Sequence, residues 1–356
     1  MKPILSLPED LRNKISAGEV IERPASVVKE LLENSIDAGA TEITVVVEKG
    51  GHQLIQVRDN GHGITADGLA QAFLRYTTSK ISKVDDLFKI RTLGFRGEAL
   101  ASIASVSEIN VSSSVDESAG YQMDLVNGVT DAIKAAPPIG GTEITVRNLF
   151  YNTPARKKFL KSATTEFRQI VKMLRRFGLE FPEVSFQLMH NDKTILNLTP
   201  ENIEERIIAL TDPSYRDQLL PVNMIKGDYN ISGFIGTLNL VRGRPGEQYL
   251  FVNRRFIQNR LLNSAVYAAY ESLVKRGEYP FSLLNLVLPP DQLDVNVHPR
   301  KIEVRFTDEW RIYHVVKSAV REALASILAT IPSFEQHVGQ MVTFGKEIDP
   351  NQRQEP

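Results

Sequence analysis

The stretch KELLENSIDAGA, Lys29 to Ala40, sets Glu30, Glu33, Asn34 and Asp37 at spacings of three and four, which lines them along one stripe of a helix. Val28, Leu31, Leu32, Ser35 and Ile36 turn elsewhere. Lys29, four residues before Glu33, offers the one helix-surface partner of opposite sign, so the stripe is largely uncompensated within its own helix. Standing alone, such a stripe is an ordinary solvated face. Two downstream motifs change that reading. In DNGHGI, Asp59 to Ile64, the glycines permit positive φ and close approach of a ligand, and Asp59 can accept a hydrogen bond from an amino group. In LGFRGEAL, Leu93 to Leu100, glycines precede a helix whose free amides can face an anion. Either motif alone is only a turn or a helix start. The ordered set is far more specific, with GGTEITV adding Thr142 on a strand.

These residues need elements that bring distant segments together. TEITVVVEKGGHQLIQVRDNGHGI holds two β-branched runs separated by Lys49-Gly50-Gly51, a hairpin signal, followed by an Asp-Asn-Gly turn. The acidic helix therefore feeds an antiparallel sheet. DGLAQAFLRYTTSK and GEALASIASV read as helices flanking the glycine-bearing loop, and strands near Ile109, Tyr121 and Ile144 continue the sheet. A helix from Thr165 to Phe177 and strands around Phe186 and Ile195 close a first domain. Beyond a boundary near residue 205, strands near Ile231 and Leu250, a helix from Leu261 to Val274, strands near Leu286 and Val295, KIEVRF, and a long helix from Glu309 to Leu328 describe a smaller mixed domain. The segregated pattern is α+β. The expected division is 1–205, 206–331, and 332–356 as the start of a disordered linker ending DPNQRQEP.

With 356 residues, 42% hydrophobic and 24% charged, the chain can bury the cores of two domains. A formal net charge of -1 argues against a wholesale basic nucleic-acid binder, though local patches can hide in a balanced total. Without cysteine there is no disulfide framework, thiolate nucleophile or cysteine-based zinc site. No uninterrupted run of about 18 apolar residues occurs, so a soluble intracellular protein is expected.

Five segments in order, SAGEVIERPASVVKELLENSIDAGA, TTSKI, LGFRGEALASIASVS, LFYNTPARKKFL and DVNVHPRKIEVRF, resemble the GHKL ATPases and, more closely, the MutL family of DNA mismatch repair proteins, from about residue 4 to 330. The resemblance implies a GHKL-type ATPase α/β sandwich, with a mixed, mainly antiparallel sheet and helices on one face. A smaller α/β domain of ribosomal-protein-like second-domain type would follow. It implies ATP and Mg2+ as cofactors. Glu30 then matches the general base that deprotonates the attacking water, and Asn34, one turn on, the residue that holds Mg2+. Positions i and i+4 lie about 6 Å apart on one helix face, close enough to address the same phosphate. Glu33 and Asp37 read as packing or hydrogen bonding at the pocket edge. Asp59 matches the carboxylate that reads adenine, with Gly63 making room for the base and Thr142 supporting it. Thr78, Ser79 and Lys80 match the phosphate surroundings, and Gly94, Phe95, Arg96, Gly97, Glu98, Ala99 and Leu100 match the lid. Lys301, from the second domain, matches a lysine that reaches the γ-phosphate, and His298 belongs to the turn before it. No G-x-x-x-x-G-K-[ST] offers a rival nucleotide loop.

Local charge points to DNA. From Tyr151 to Glu180 the bases Arg156, Lys157, Lys158, Lys161, Arg168, Lys172, Arg175 and Arg176 outweigh Glu166 and Glu180 by +6. Arg242, Arg244, Arg254, Arg255 and Arg260 form a second basic set, in which Arg260 matches a family position tied to DNA binding. Weak, salt-sensitive, sequence-independent contact is expected. The family further implies an ATP-dependent homodimer, the mismatch-recognition protein MutS and downstream repair factors as partners, and a prokaryotic, nucleoid-associated cytoplasmic location. Members carry a C-terminal dimerisation domain after a linker, and no nuclease metal motif is found in this chain. The alternative is a nucleotide-gated DNA clamp or matchmaker whose turnover is incidental. A topoisomerase subunit or histidine kinase fits less well, because the mismatch-repair segments extend into the second domain.

Overall fold

The computed structural model describes residues 6, 8, 17, 18, 20–80, 83, 92–94, 97–271, 273–294 and 304–328. Proline at the first turn starts helix α1 (Pro24–Asp37), where a missing N–H costs nothing. Its inner face carries Val27, Val28, Leu31 and Leu32, all at most 2% exposed. Gly39, at φ +72, turns the chain out of the helix and into β1 (Glu42–Glu48), where Ile43, Val45 and Val47 alternate inward. A 3₁₀ turn at Lys49–Gly51 reverses the chain into β2 (Leu54–Asp59), paired antiparallel from Ile43↔Asp59 to Glu48↔Leu54. This is the hairpin that the sequence predicts.

The helices α2 (Ala66–Ala72) and α3 (Ala99–Ser105) follow, then β3 (Glu108–Ser114), β4 (Gly120–Val126), β5 (Val129–Thr130), β6 (Lys134–Ala136) and β7 (Gly141–Arg147). Next come α4 (Pro154–Phe159), α5 (Ala163–Glu180), β8 (Ser185–His190), β9 (Lys193–Leu198) and α6 (Ile203–Leu210). The strands form one sheet in the order β5-β4-β3-β7-β2-β1-β8-β9, with β6 beside β4. β1 and β8 pair in parallel and the other strand pairs are antiparallel. α1 packs on α5. The α+β class expected from the sequence holds. One helix is shorter than its pattern: DGLAQAFLRYTTSK is helical only through Ala72, and Tyr76 at φ +61 leaves the helix to donate its N–H to the Gly97 carbonyl at 3.0 Å.

The chain continues as β10 (Leu219–Lys226), β11 (Tyr229–Gly236), β12 (Val241–Arg242), β13 (Gln248–Val252), β14 (Arg255–Ile257), α7 (Arg260–Tyr270), β15 (Tyr279–Pro280), β16 (Ser282–Val287), β17 (Leu293–Asp294), β18 (Arg305–Phe306) and α8 (Glu309–Leu328). The helix expected to reach Val274 ends at Tyr270, because Glu271 is extended. Val295 and the first half of KIEVRF, residues 301–303, lie outside the described residues.

Compactness divides the chain into Met1–Asp217 with Phe251–Gln258 and Leu288–Thr307, and a second unit of Gln218–Leu250, Asn259–Val287 and the chain from Asp308 onward. In the second unit α7 packs on α8, and α8 on β10. The expected boundary near 205 thus falls just before a stretch that is anchored to the first unit. Arg206 of α6 is fully buried there; it donates to the carbonyls of Gly178, Pro182, Val184 and Thr199 at 2.7–3.1 Å and to Glu201 Oε1 at 2.6 Å.

Candidate functional site

Asp59 ends β2, in register with Thr142 of β7, which is in turn in register with Ser113 of β3. The carboxylate is 8% exposed; Oδ2 accepts from Ser35 Oγ of α1 at 2.7 Å, and Oδ1 from the Gly61 amide at 3.0 Å. Ser113 Oγ donates to the Gly141 carbonyl at 2.9 Å and accepts from the Ile64 amide at 2.8 Å. It lies 2.9 Å from Thr142 Oγ1, so the Thr142 hydroxyl donates to it. Gly63 stands at φ +70, and a Cβ there would run into the Ser114 carbonyl. The site residues predicted at 59, 63 and 142 therefore meet, joined by Ser35 and Ser113. Sequence reasoning misses these two serines because a lone serine carries no signal until folding and strand register bring it to the carboxylate.

The acidic stripe of α1 is not a solvated face. Glu33 is 6% exposed, and the Asp37 side chain is 7% exposed. Nor is it uncompensated. Lys29 Nζ lies 2.8 Å from Glu30 Oε1 and 2.7 Å from Glu33 Oε1. Burial works against its charge, but the two carboxylates outweigh burial and hold the ammonium above its ordinary value. Lys80, in the segment after α2, donates to Asp37 Oδ2 at 2.5 Å and to Asn34 Oδ1 at 3.0 Å. Its own amide donates to Thr78 Oγ1 at 3.2 Å, while Ser79 is exposed. Asp37 also accepts the amides of Leu93 at 2.8 Å and Gly94 at 3.0 Å, so it fastens the start of the glycine loop.

Beyond that loop, Gly97 takes φ +61, Glu98 is the N-cap residue of α3, and Ala99 and Leu100 form its first turn. Phe95, Arg96, His298 and Lys301 lie outside the described residues.

Arg255 departs from its expected place. Instead of joining a surface set it is 9% exposed and donates from Nη2 to the Thr92 carbonyl at 2.6 Å. Burial lowers its guanidinium, and the carboxylates of Glu33, Asp37 and Glu30 pull the other way. Arg254 pairs with Glu183 at 2.5 Å and Glu180 at 3.6 Å, and stacks over Phe181. A cleft of about 510 Å³ is lined by Lys29, Glu33, Leu93, Glu180, Arg254, Arg255 and apolar side chains of α5 and the 251–256 segment.

On α4, α5 and the turn between them the acids turn inward and most of the bases outward. Glu166 and Glu180 are buried, whereas Lys157, Lys158, Lys161, Arg168, Lys172 and Arg175 are exposed. Arg156 is partly buried against Gly18. In the second unit Arg244 and Arg260 are exposed, and Arg242 is exposed beside Glu247 at 3.4 Å.

Residues 21–134 match the family of histidine kinase-, DNA gyrase B-, and HSP90-like ATPases, and residues 207–325 match the C-terminal domain of DNA mismatch repair proteins. The fold matches the N-terminal domain of a DNA repair protein with a TM-score of 0.77 at 24% identity, covering 90% of this chain and 99% of that one. It matches the Aquifex aeolicus MutL ATPase domain complexed with ADP with a TM-score of 0.58 at 27% identity, covering 83% and 98%. Fold and site thus define a GHKL-type ATPase domain followed by a mismatch-repair domain. The DNA mismatch repair protein MutL of Chlorobaculum tepidum is 46% identical over 328 residues, which is 91% of this chain and 53% of that protein. The chain belongs to the MutL family, and it spans about half the length of the curated relatives it matches.

Proposed function

We propose that the chain binds ATP and hydrolyses it to ADP and phosphate with Mg2+, as the nucleotide-dependent half of a mismatch repair protein. The observation that carries this reading is the buried Asp59 carboxylate, held from below by Ser35 and Gly61, near the Gly63 turn whose backbone lies too close to the Ser114 carbonyl for any side chain. Each carboxylate oxygen accepts one of these bonds and keeps a lone pair for an exocyclic amino group. Guanine presents a carbonyl at that position and would be rejected.

The phosphate end is supported by the acidic helix. Asn34 Oδ1 already faces a cation, the Lys80 ammonium, which fits a hard oxygen ligand for Mg2+. Among the described residues no group of three or more acids and histidines could hold a metal alone, so phosphate oxygens and water would have to complete its shell. Bound there, Mg2+ would neutralise phosphate charge. Glu30 would accept the proton of the attacking water, and the amides of Gly97 to Leu100 would face the phosphates, the Gly94 amide being held by Asp37. Thr78 and Lys80 would add side-chain contacts, and Lys301 would reach in from its own segment.

Nucleotide binding would in turn favour pairing of two such domains and weak contact with DNA along the exposed bases of α4, α5 and the Arg242, Arg244 and Arg260 positions. MutS and downstream repair factors are the partners this implies, in a prokaryotic cytoplasm. The test is ATP binding and hydrolysis by wild type and Glu30→Ala. The variant should bind ATP and fail to turn it over; if wild type neither binds nor hydrolyses ATP, the reading is wrong. A Glu30→Ala protein that still closes on ATP and supports every downstream output would favour the clamp, in which turnover is incidental.

A further inference from the structure

Glu30 is the proposed base, yet its carboxylate rests against Lys29, a cation that it shares with Glu33. The ammonium sits 2.8 Å from one carboxylate and 2.7 Å from the other. The three side chains are 15%, 15% and 8% exposed, so the pair of acids and their shared cation are shielded from bulk water. We propose that Lys29 is a positioning residue that orients Glu30 and sets its basicity, and that Glu33 tunes this by competing for the same ammonium. The inference rests on the reading of Glu30 as the base.

Two acids here compete for one charge. An opposite charge within about 4–6 Å lowers a carboxylic acid's pKa and a like charge raises it. Lys29 supplies the first effect to Glu30, and Glu33, one turn away, supplies the second. Other charges face this cluster from neighbouring elements. Arg255 of β14 lies in the field of Glu33, Asp37 and Glu30. Lys80 is committed to Asp37 and Asn34. Across the cleft stand Arg176, Glu180 and Arg254, of which Arg254 is engaged by Glu183 and Glu180. Lys29 touches both acids at once. Since the two acids hold Lys29 above its ordinary value, it stays charged over the whole working range, and the acidic limb of a rate profile reports the carboxylate rather than the lysine.

The opposing effects give the test a sign. Single-turnover ATP hydrolysis is followed against pH in wild type, Lys29→Met, Lys29→Arg, Glu33→Gln and Glu30→Ala, with ATP affinity and thermal melting in parallel. Lys29→Met should move the acidic limb to higher pH by about one unit or more, and Glu33→Gln should move it to lower pH by roughly half a unit to one unit. Lys29→Arg, which keeps the charge, should restore the wild-type limb. A merely structural role for Lys29 would lower melting temperature and rate without moving the limb. Limbs of Glu33→Gln and Lys29→Met that superimpose on wild type, with Glu30→Ala binding ATP but inactive, would overturn the proposal while leaving the base in place. If Glu30→Ala turns over like wild type, the base assignment itself is lost. Should Lys29→Met fail to fold, the downward shift in Glu33→Gln and the unmoved limb in Lys29→Arg decide the matter.

Discussion

At the scale of single residues, the Asp59 cluster states its own specificity. Replacing Asp59 by Asn keeps the shape but turns one oxygen into an NH2 that opposes the amino group it should receive. It also breaks the match with Ser35 Oγ or the Gly61 amide, both of which donate to the carboxylate. ATP affinity measured by titration calorimetry should fall by tenfold or more, about 1–3 kcal/mol for a buried unpaired donor. Gly63→Ala should be as damaging for a different reason: at φ +70 its methyl is strained and meets the Ser114 carbonyl. Loss of binding with a folded core, seen as an unchanged far-UV spectrum, is the expected result. At this scale much is legible in the sequence. Asp59, Gly63 and Thr142 are picked out by motif and meet in space, because motifs name residue types whose chemistry is rare. Ser35, Ser113 and Arg255 are not legible, because what singles them out is a partner reached only through register or folding.

At the scale of elements, α5 and α6 show how helix ends are tied. The last turn of a helix leaves carbonyls without intrahelical donors. Arg206 of α6 fills that need for Gly178 near the end of α5, and for Pro182, Val184 and Thr199 beyond it. Arg206→Met would strand these acceptors and Glu201, so chemical denaturation should show a loss of about 3–5 kcal/mol. Close by, Glu180 ends α5 in an 8% exposed site, where burial pushes its carboxyl from about 4.5 up to about 8 against the pull of Arg254, whose closer contact goes to Glu183. The folded state thus holds the proton more tightly than the unfolded chain. Its stabilising share is fully present below about pH 4.5 and is lost as pH rises through 8, a change on the order of a few kcal/mol. Melting curves at pH 5 and 8 should therefore separate Glu180→Gln from wild type in favour of the variant at pH 8. Hairpin, sheet strands and the long helices are readable from alternation and 3.6-residue periodicity. The early ends of α2 and α7 are not, since Tyr76 leaves the helix to pair with Gly97, a residue 21 positions away in sequence.

At the scale of the whole molecule, a formal net charge of -1 conceals a sorted distribution. The +6 segment from Tyr151 to Glu180 buries both of its acids and exposes six of its bases, so its outer face is more basic than its sequence. Sorting of this kind is invisible to composition and follows only from which face of α5 packs on α1. Domain limits are equally hidden, because Phe251–Gln258 and Leu288–Thr307 group with a unit that otherwise ends at Asp217, and compactness is a property of residues distant in sequence. The sorted charge makes the proposed DNA binding quantitative. Each phosphate neutralised by a lysine or arginine releases counterions, so affinity falls as a power of salt concentration. The double variant Lys157→Glu, Lys158→Glu should weaken binding to DNA of any sequence and reduce the slope of log affinity against log salt by roughly one for each phosphate left unneutralised. Arg260→Glu, in the other unit, should lower the slope by about one in the same way. ATP turnover without DNA should persist in both, because neither position touches the Asp59 cluster or the acidic helix. A binding defect that depends on sequence, or a slope equal to wild type, would show that these side chains are only a solvated surface, and that DNA is held elsewhere.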